Sequence, residues 1–156
     1  MAAGRAKGTR ARSRARRLVL QGLYQWQLAG TPAADIGAQL LAGQSAHDLD
    51  IEFFHALLVE TIGGSATIQD TFVQHLDRPL EQIDPVEHAI LLLGACELRS
   101  HPEVPFRVVL NEAVELAKKF GAEDSGKYIN AVLERVARDL RPAEFASRWR
   151  AAEQQT

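Results

Sequence analysis

Between Pro105 and Arg138 the chain reads PFRVVLNEAVELAKKFGAEDSGKYINAVLERVAR, two amphipathic helical patterns joined by a short polar turn. Val109, Leu110, Ala113, Val114, Ala117 and Phe120 recur at three- and four-residue steps in the first. Ile129, Val132, Leu133 and Val136 do so in the second, which is the period of one helix face. Gly121 stands where a left-handed helix C-terminal residue belongs, and Asp124 or Ser125 where an N-cap belongs. Glu115 precedes Lys118 and Lys119 by three and four residues, so opposite charges can meet on the outer face. Two such apolar faces need a third surface to cover them.

The rest of the sequence supplies it. Asp84-Pro85 with Glu87 makes a strong helix start, and the run Ala89–Cys96 is apolar nearly all round, as a central buried helix requires. Upstream, the spacing predicts a helix from about Arg10 to Leu28, with Val19, Leu20, Leu23, Tyr24 and Trp26 facing inward. A short helix follows over Pro32–Leu41, with Ile36, Leu40 and Leu41 facing in. A longer pattern from Asp50 carries Ile51, Phe54, Leu58 and Ile62, then Ile68, Phe72 and Leu76. Gly63-Gly64 interrupts it, leaving one bent helix and two helices both open. Arg141-Pro142 breaks the last core helix, and Phe145 and Trp149 mark a further turn or two in the tail. Little alternates with period two. The reading is an all-α bundle of six to eight helices in two sub-bundles parting near residues 78–84. Residues 1–9 would form a flexible basic arm, and residues 10–156 a single domain.

The net charge of −2 conceals an asymmetry. Arg5, Lys7, Arg10, Arg12, Arg14, Arg16 and Arg17 give residues 1–17 a charge of +7 with no acid, against −9 for the remainder. A basic end on an acidic body suits a polyanion partner. Arginines near a helix N-terminus oppose its macrodipole, so an anion there would steady it. Tyr24 and Trp26 lie just beyond, and phosphate contacts beside a stacking ring are what single-stranded nucleic acid recognition needs. Trp26 fits the core stripe; Tyr24 fits both the stripe and a surface edge.

Catalytic groupings are missing from the pattern. His47, His55, His75, His88 and His101 are scattered, with no pair at metal-ligand spacing beside a carboxylate, and His55 reads as a core-edge residue. Gly63-Gly64 lacks the Lys and Ser/Thr of a phosphate loop. Cys96 cannot form an internal disulfide and reads as a buried inert thiol, consistent with a reducing compartment. Its apolar run is too short to span a bilayer, and the basic N-terminus lacks the apolar stretch of a secretory signal. The basic residues run straight into a helix, unlike a separate transit peptide. A helix–turn–helix DNA reader is disfavoured by Glu123 and Asp124, which would repel a phosphate backbone at the tip of the second helix.

The stretch VVLNEAVELAKKFGAEDSGKYINAVL, Val108–Leu133, closely resembles the signature of the NusB family of bacterial transcription antitermination factors. Ala11–Leu28 and Asp84–Leu98 resemble the same family in order and spacing. The related domain at the front of ribosomal-RNA cytosine methyltransferases precedes a glycine-rich cofactor domain, which does not follow here, so the stand-alone factor is expected. The resemblance implies a non-catalytic, all-helical, cytoplasmic bacterial protein without cofactor or metal. It also implies NusE as protein partner, the boxA sequence of nascent ribosomal RNA as ligand, and an antitermination complex on RNA polymerase as destination. Carried over by position, Arg12, Arg14 and Arg16 would bind phosphates, and Tyr24 and Tyr128 would contact RNA as aromatics. Asp124 and Glu87 would accept from base amino groups or position the site. Many relatives have Phe at Tyr128, Gly at Ala131 and His at Gly126. The turn of the hairpin, with Asp124 and Tyr128, is expected beside the arginine helix. The rival expectation is a protein–protein interaction module with a non-specific basic arm.

Overall fold

The structure is a computed structural model that describes residues 2–147, with side chains from residue 8 onward. Its helices are α1 (Ala2–Ala29), α2 (Ala33–Ala42), α3 (Ile51–Gly63), α4 (Ser65–Val73), α5 (Pro85–Ser100), α6 (Phe106–Phe120) and α7 (Ser125–Leu140). A 3-10 turn occupies Leu80–Gln82, and residues 142–147 are again helical. Trp149, expected in the tail, lies outside the described residues.

The chain forms two compact units, Met1–Ser65 and Ala66–Thr156. The parting therefore falls at the start of α4 rather than near residues 78–84. Gly64 is the breaking point: α3 ends at Gly63, α4 starts at Ser65, and the open question of one bent helix or two is answered as two. α1 is longer than the pattern suggested and takes in residues 2–9.

In the first unit α1 packs on α2 and α3, and α2 on α3. Ala15, Val19, Leu23, Ile36, Phe54, Leu57 and Leu58 are fully buried there. The inward face of α3 is Phe53, Phe54, Leu57, Leu58 and Thr61, so Ile51 turns out to solvent and His55 is exposed rather than at the core edge. Asp50 caps α3, its side chain accepting from the Phe53 amide at 3.0 Å.

In the second unit α5, α6 and α7 pack pairwise. Asp84 caps α5 by accepting from Val86 and Glu87 amides at 2.8 and 3.3 Å, with Pro85 at the first helical position. Every residue from Ala89 to Leu98 is buried, including Cys96, as an all-round apolar helix demands. Gly94 lets α7 approach: a Cβ there would come within 2.6 Å of Leu133 Cδ1, and Leu133 is itself fully buried.

The C-terminal end of α5 is closed by a residue that the sequence marks only as a helix breaker. Arg141 is buried and donates from Nε to the Leu98 carbonyl at 2.9 Å and from Nη2 to Glu97 and His101 carbonyls at 3.3 and 2.9 Å. Nη1 donates to the Val104 carbonyl and lies 3.2 Å from Glu144 Oε1. Helix ends leave carbonyls without partners, and one planar guanidinium here answers several of them.

The α6–α7 turn departs from the expected capping. Gly121 is extended, with φ −94° and ψ 178°, rather than left-handed. The left-handed residue is Asp124, at φ 70°, and its side chain makes no capping hydrogen bond. Asp and Asn tolerate that conformation better than other non-glycine residues, so the turn closes with Asp124 directed to solvent. Phe120, expected in the core, is 48% exposed, because the helix ends there and its last turn has no facing surface.

Three variants test this packing. Arg141→Met keeps the bulk of the side chain but strands several buried carbonyls. It should lower the unfolding free energy in urea by about 3–5 kcal/mol. Glu144→Gln should cost under about 1 kcal/mol, since that pair is partly exposed. His88 is half-buried, its Nε2–H donating to Gln69 Oε1 at 2.9 Å with Phe72 edge-on, and burial holds its pKa below the usual 6.5. Its contribution to stability is complete above about pH 6.5 and is lost as pH falls through that value to the lowered folded pKa. Urea denaturation at pH 7.5 and 5.5 should therefore show a smaller acid loss in His88→Gln than in the parent chain.

Candidate nucleic-acid interface

The basic half of α1 is where phosphate contacts are expected, yet its arginines are largely engaged inside the first unit. Arg12 Nε lies 3.4 Å from Asp50 Oδ2, with its guanidinium 4.5 Å from the Phe53 ring centroid. Arg14 donates to the His47 carbonyl and, at 2.9 Å, to Gln44 Oε1. Arg16 is only 2% exposed and sits 5.1 Å from the same Phe53 ring. Arg10 reaches within 3.9 Å of Asp48 with most of its side chain in solvent. The segment before α3 thus supplies intramolecular partners for the arm. The pair Asp48 and Asp50 is the available sequence signal, since they are the acids just before α3 and flank a single buried leucine, Leu49.

These contacts rank the arginines. Arg12 and Arg14 keep donors at the surface: the side chain of Arg12 is 35% exposed and the bonds of Arg14 are exposed ones. Arg16 is stacked and buried, so it stiffens α1 rather than presenting a free donor. Tyr24 lies eight residues, about 12 Å, further along the helix than Arg16. It is 42% exposed, and so offers a ring face or edge to solvent, whereas Trp26 is half-buried.

The other expected contacts belong to the second unit. Glu87 is buried at the first turn of α5, and Asp124 stands exposed at the α6–α7 turn. Tyr128 is half-buried. Arg78 lies over its ring, 4.6 Å from the centroid, while Asp77 holds Arg78 from 2.8 Å. That guanidinium keeps the Asp77 carboxyl below the usual carboxylate range, and burial pushes the Tyr128 phenol up. One face of the Tyr128 ring is therefore already occupied by a cation. Sequence reasoning missed Arg78, which carried no signal beyond preceding Pro79.

Among the described residues no three His, Cys, Asp or Glu side chains gather as a metal site would need. Among the described residues, histidines approach acids singly, His75 at 2.7 Å from Asp139, His101 at 3.2 Å from Glu103 and His47 at 3.5 Å from Asp48. Among the described residues no helix is long and apolar enough to cross a membrane.

The profile of the NusB family matches residues 13–138, from the middle of the basic half of α1 to the end of α7. The chain is 53% identical over 138 residues to the transcription antitermination protein NusB of Alcanivorax borkumensis, covering 88% of this chain and 92% of that protein. It is 47% identical over 134 residues to the NusB protein of Acinetobacter baylyi, covering 86% and 90%. Among solved structures, NusB of T. maritima superposes with a TM-score of 0.74 at 26% identity, over 86% of this chain and 96% of that one. A chain in the complex of antitermination factors NusB and NusE with double-stranded RNA superposes at 0.75 and 25% identity, over 83% and 98%. On this evidence of sequence and fold, the chain belongs to the NusB family of antitermination factors.

Proposed function

We propose that this chain is an RNA-binding adaptor which pairs with NusE, recognises boxA in nascent ribosomal RNA and helps load an antitermination complex on RNA polymerase in the bacterial cytoplasm. The observation that carries this reading is the solved NusB–NusE–RNA complex, whose fold matches this chain along most of its length. No catalytic step and no cofactor enter it. Arg12, Arg14 and Tyr24 of the first unit and Glu87, Asp124 and Tyr128 of the second are the proposed RNA contacts, with Arg16 as a prop beneath the arm.

Arg12, Arg14, Asp124 and Tyr24 each have a physical basis as contacts. Arg14 can exchange exposed protein acceptors, and Arg12 a partly buried one, for phosphate oxygens, and pairs near the surface are weak enough to give way. Carboxylates repel phosphate but accept from base amino groups, which suits Asp124 at an open turn. The solved complex holds double-stranded RNA, whereas boxA is proposed here as a single strand. Support for the single strand is the exposed Tyr24 ring, since stacking requires an unpaired base.

A second reading has its own observation. Because Arg12, Arg14 and Arg16 all have partners within the protein, the arm could serve to fasten α1 to the segment before α3, leaving a module that binds only protein. Truncating residues 1–17 would not separate the two, because Ala11, Ala15 and Arg16 are buried. Point changes do. Tyr24→Leu should weaken boxA binding by the NusE-bound protein by about 1–3 kcal/mol, the worth of one stacked base, without shifting Tm. Arg14→Ala should lower the steepness of the salt dependence by about 0.7. Fluorescence anisotropy with boxA, scrambled and duplex oligonucleotides reads both. Equal affinity for boxA and scrambled RNA would favour the protein-only module.

A further inference from the structure

The outer faces of α6 and α7 line an open pocket of about 450 Å³, a size within the range of sites for small molecules. It lies wholly in the second unit and uses none of the catalytic or metal-binding groupings considered above. Gly126 and Val114 are among the residues that line it. A Cβ on Gly126 would meet Val114 Cγ1 at an ordinary 3.4 Å, and the backbone there is helical without positive φ. Nothing in the backbone asks for glycine at this position, and glycine is a poor residue in a helix. What the glycine does is leave that side of the pocket open.

The remaining lining is polar and mixed in sign. Asn111 and Asn130 present side-chain amides that make no hydrogen bond to other described residues. Lys118 and Lys127 stand at the rim, Lys118 loosely paired with Glu115 at 3.5 Å across two well-exposed side chains. Asp124 completes the rim with an uncapped, exposed carboxylate. A lone phosphate would be repelled by Asp124, and an apolar group would leave both amides unanswered. A nucleobase answers all of them. Its amino group donates to Asp124, its edge pairs with an asparagine amide, its face lies on Val114, and its flanking phosphates meet the lysines.

We propose that this pocket receives one unstacked base of the RNA, with Asn111 and Asn130 reading its edge and Gly126 making the room. The assignment rests on the RNA reading given above and adds to it a base-specific subsite that side chains at position 126 would close.

The test uses the full chain with NusE, a boxA oligoribonucleotide, a scrambled copy, and a boxA series in which one nucleotide at a time is abasic. One abasic position should cost the parent chain about tenfold in affinity. The same abasic oligonucleotide should cost Asn130→Ala little further, because the interaction is already lost. Gly126→Trp, with circular dichroism confirming its fold, should weaken the intact oligonucleotide by a similar factor. Should Gly126→Trp and Asn130→Ala bind every oligonucleotide as the parent does, the pocket assignment is overturned while RNA binding stands. If the variants instead release NusE and keep their RNA affinity, the occupant is protein and the proposal is equally overturned. Equal binding of boxA and scrambled RNA by the parent chain would remove the RNA reading itself, a different failure.

Discussion

Leu133 lies so close to Gly94 that a single methyl group on α5 would collide with it, and the second unit is arranged around that approach. α5 is buried along its whole middle, so it must be covered on several sides at once, and packed interiors tolerate little misfit. The α6–α7 hairpin provides one cover, and its position follows from how closely Leu133 can come. Arg141 then anchors the end of α7 to the carbonyls at the end of α5. Between these two fixings the opposite end of α7 is set as well. That is the end carrying Asp124, Gly126 and Tyr128. A site built at the tip of a well-packed helix pair inherits its rigidity, which is what recognition of a base edge demands.

The elements that were legible in the sequence are those whose cause is local or periodic. Asp84-Pro85 starts α5 with the hydrogen bonds its capping pattern implies, and Asp50 starts α3 in the same way. The apolar stripes of α6 and α7 are buried at Val109, Leu110, Ala113, Ile129, Val132 and Leu133. Failures occur where the answer depends on what faces a residue across space. Phe120 keeps the stripe spacing but sits on the last turn, beyond its covering surface. Gly121 is the obvious left-handed residue by composition, yet the chain turns three residues later, at Asp124, and leaves the glycine extended. Arg141 looks like part of a breaker because its partners are more than 35 residues away.

The candidate interface shows the same division. The concentration of cations in residues 1–17 is plain in the sequence, and so is the family signature around the hairpin turn. Which cations are free is not, because pairing with Asp48, Asp50, Gln44 and Phe53 is tertiary. Charge counts treat Arg12, Arg14 and Arg16 as equivalent, whereas one is buried against a ring and two lie near the surface. Tyr128 likewise reads as an open stacking platform until Arg78 is seen over it. Gly126 carries no signal of its own in the sequence. Beside Val114 and the two asparagines it becomes the opening of a pocket.

The intramolecular contacts of the arm also shape how an anion could be bound. An arginine already held by Asp50 or Gln44 has lost much of its rotamer freedom, so a phosphate arriving there need not order the side chain again. What it must overcome is the existing acceptor: the Arg14 bond is exposed, the Arg12 pair is partly buried, and exposed pairs are worth only about 0–1 kcal/mol. Asp50 moreover has a second role, since its other oxygen caps α3 whether or not Arg12 is present. Release of Arg12 therefore leaves the helix start intact, and the exchange can proceed without local unfolding. Arg16 differs in kind: withdrawing it would uncover Phe53 and empty a buried position in the packing of α1 on α3. An arm with movable donors above a fixed one can adjust to a backbone while the helix that carries it stays in place.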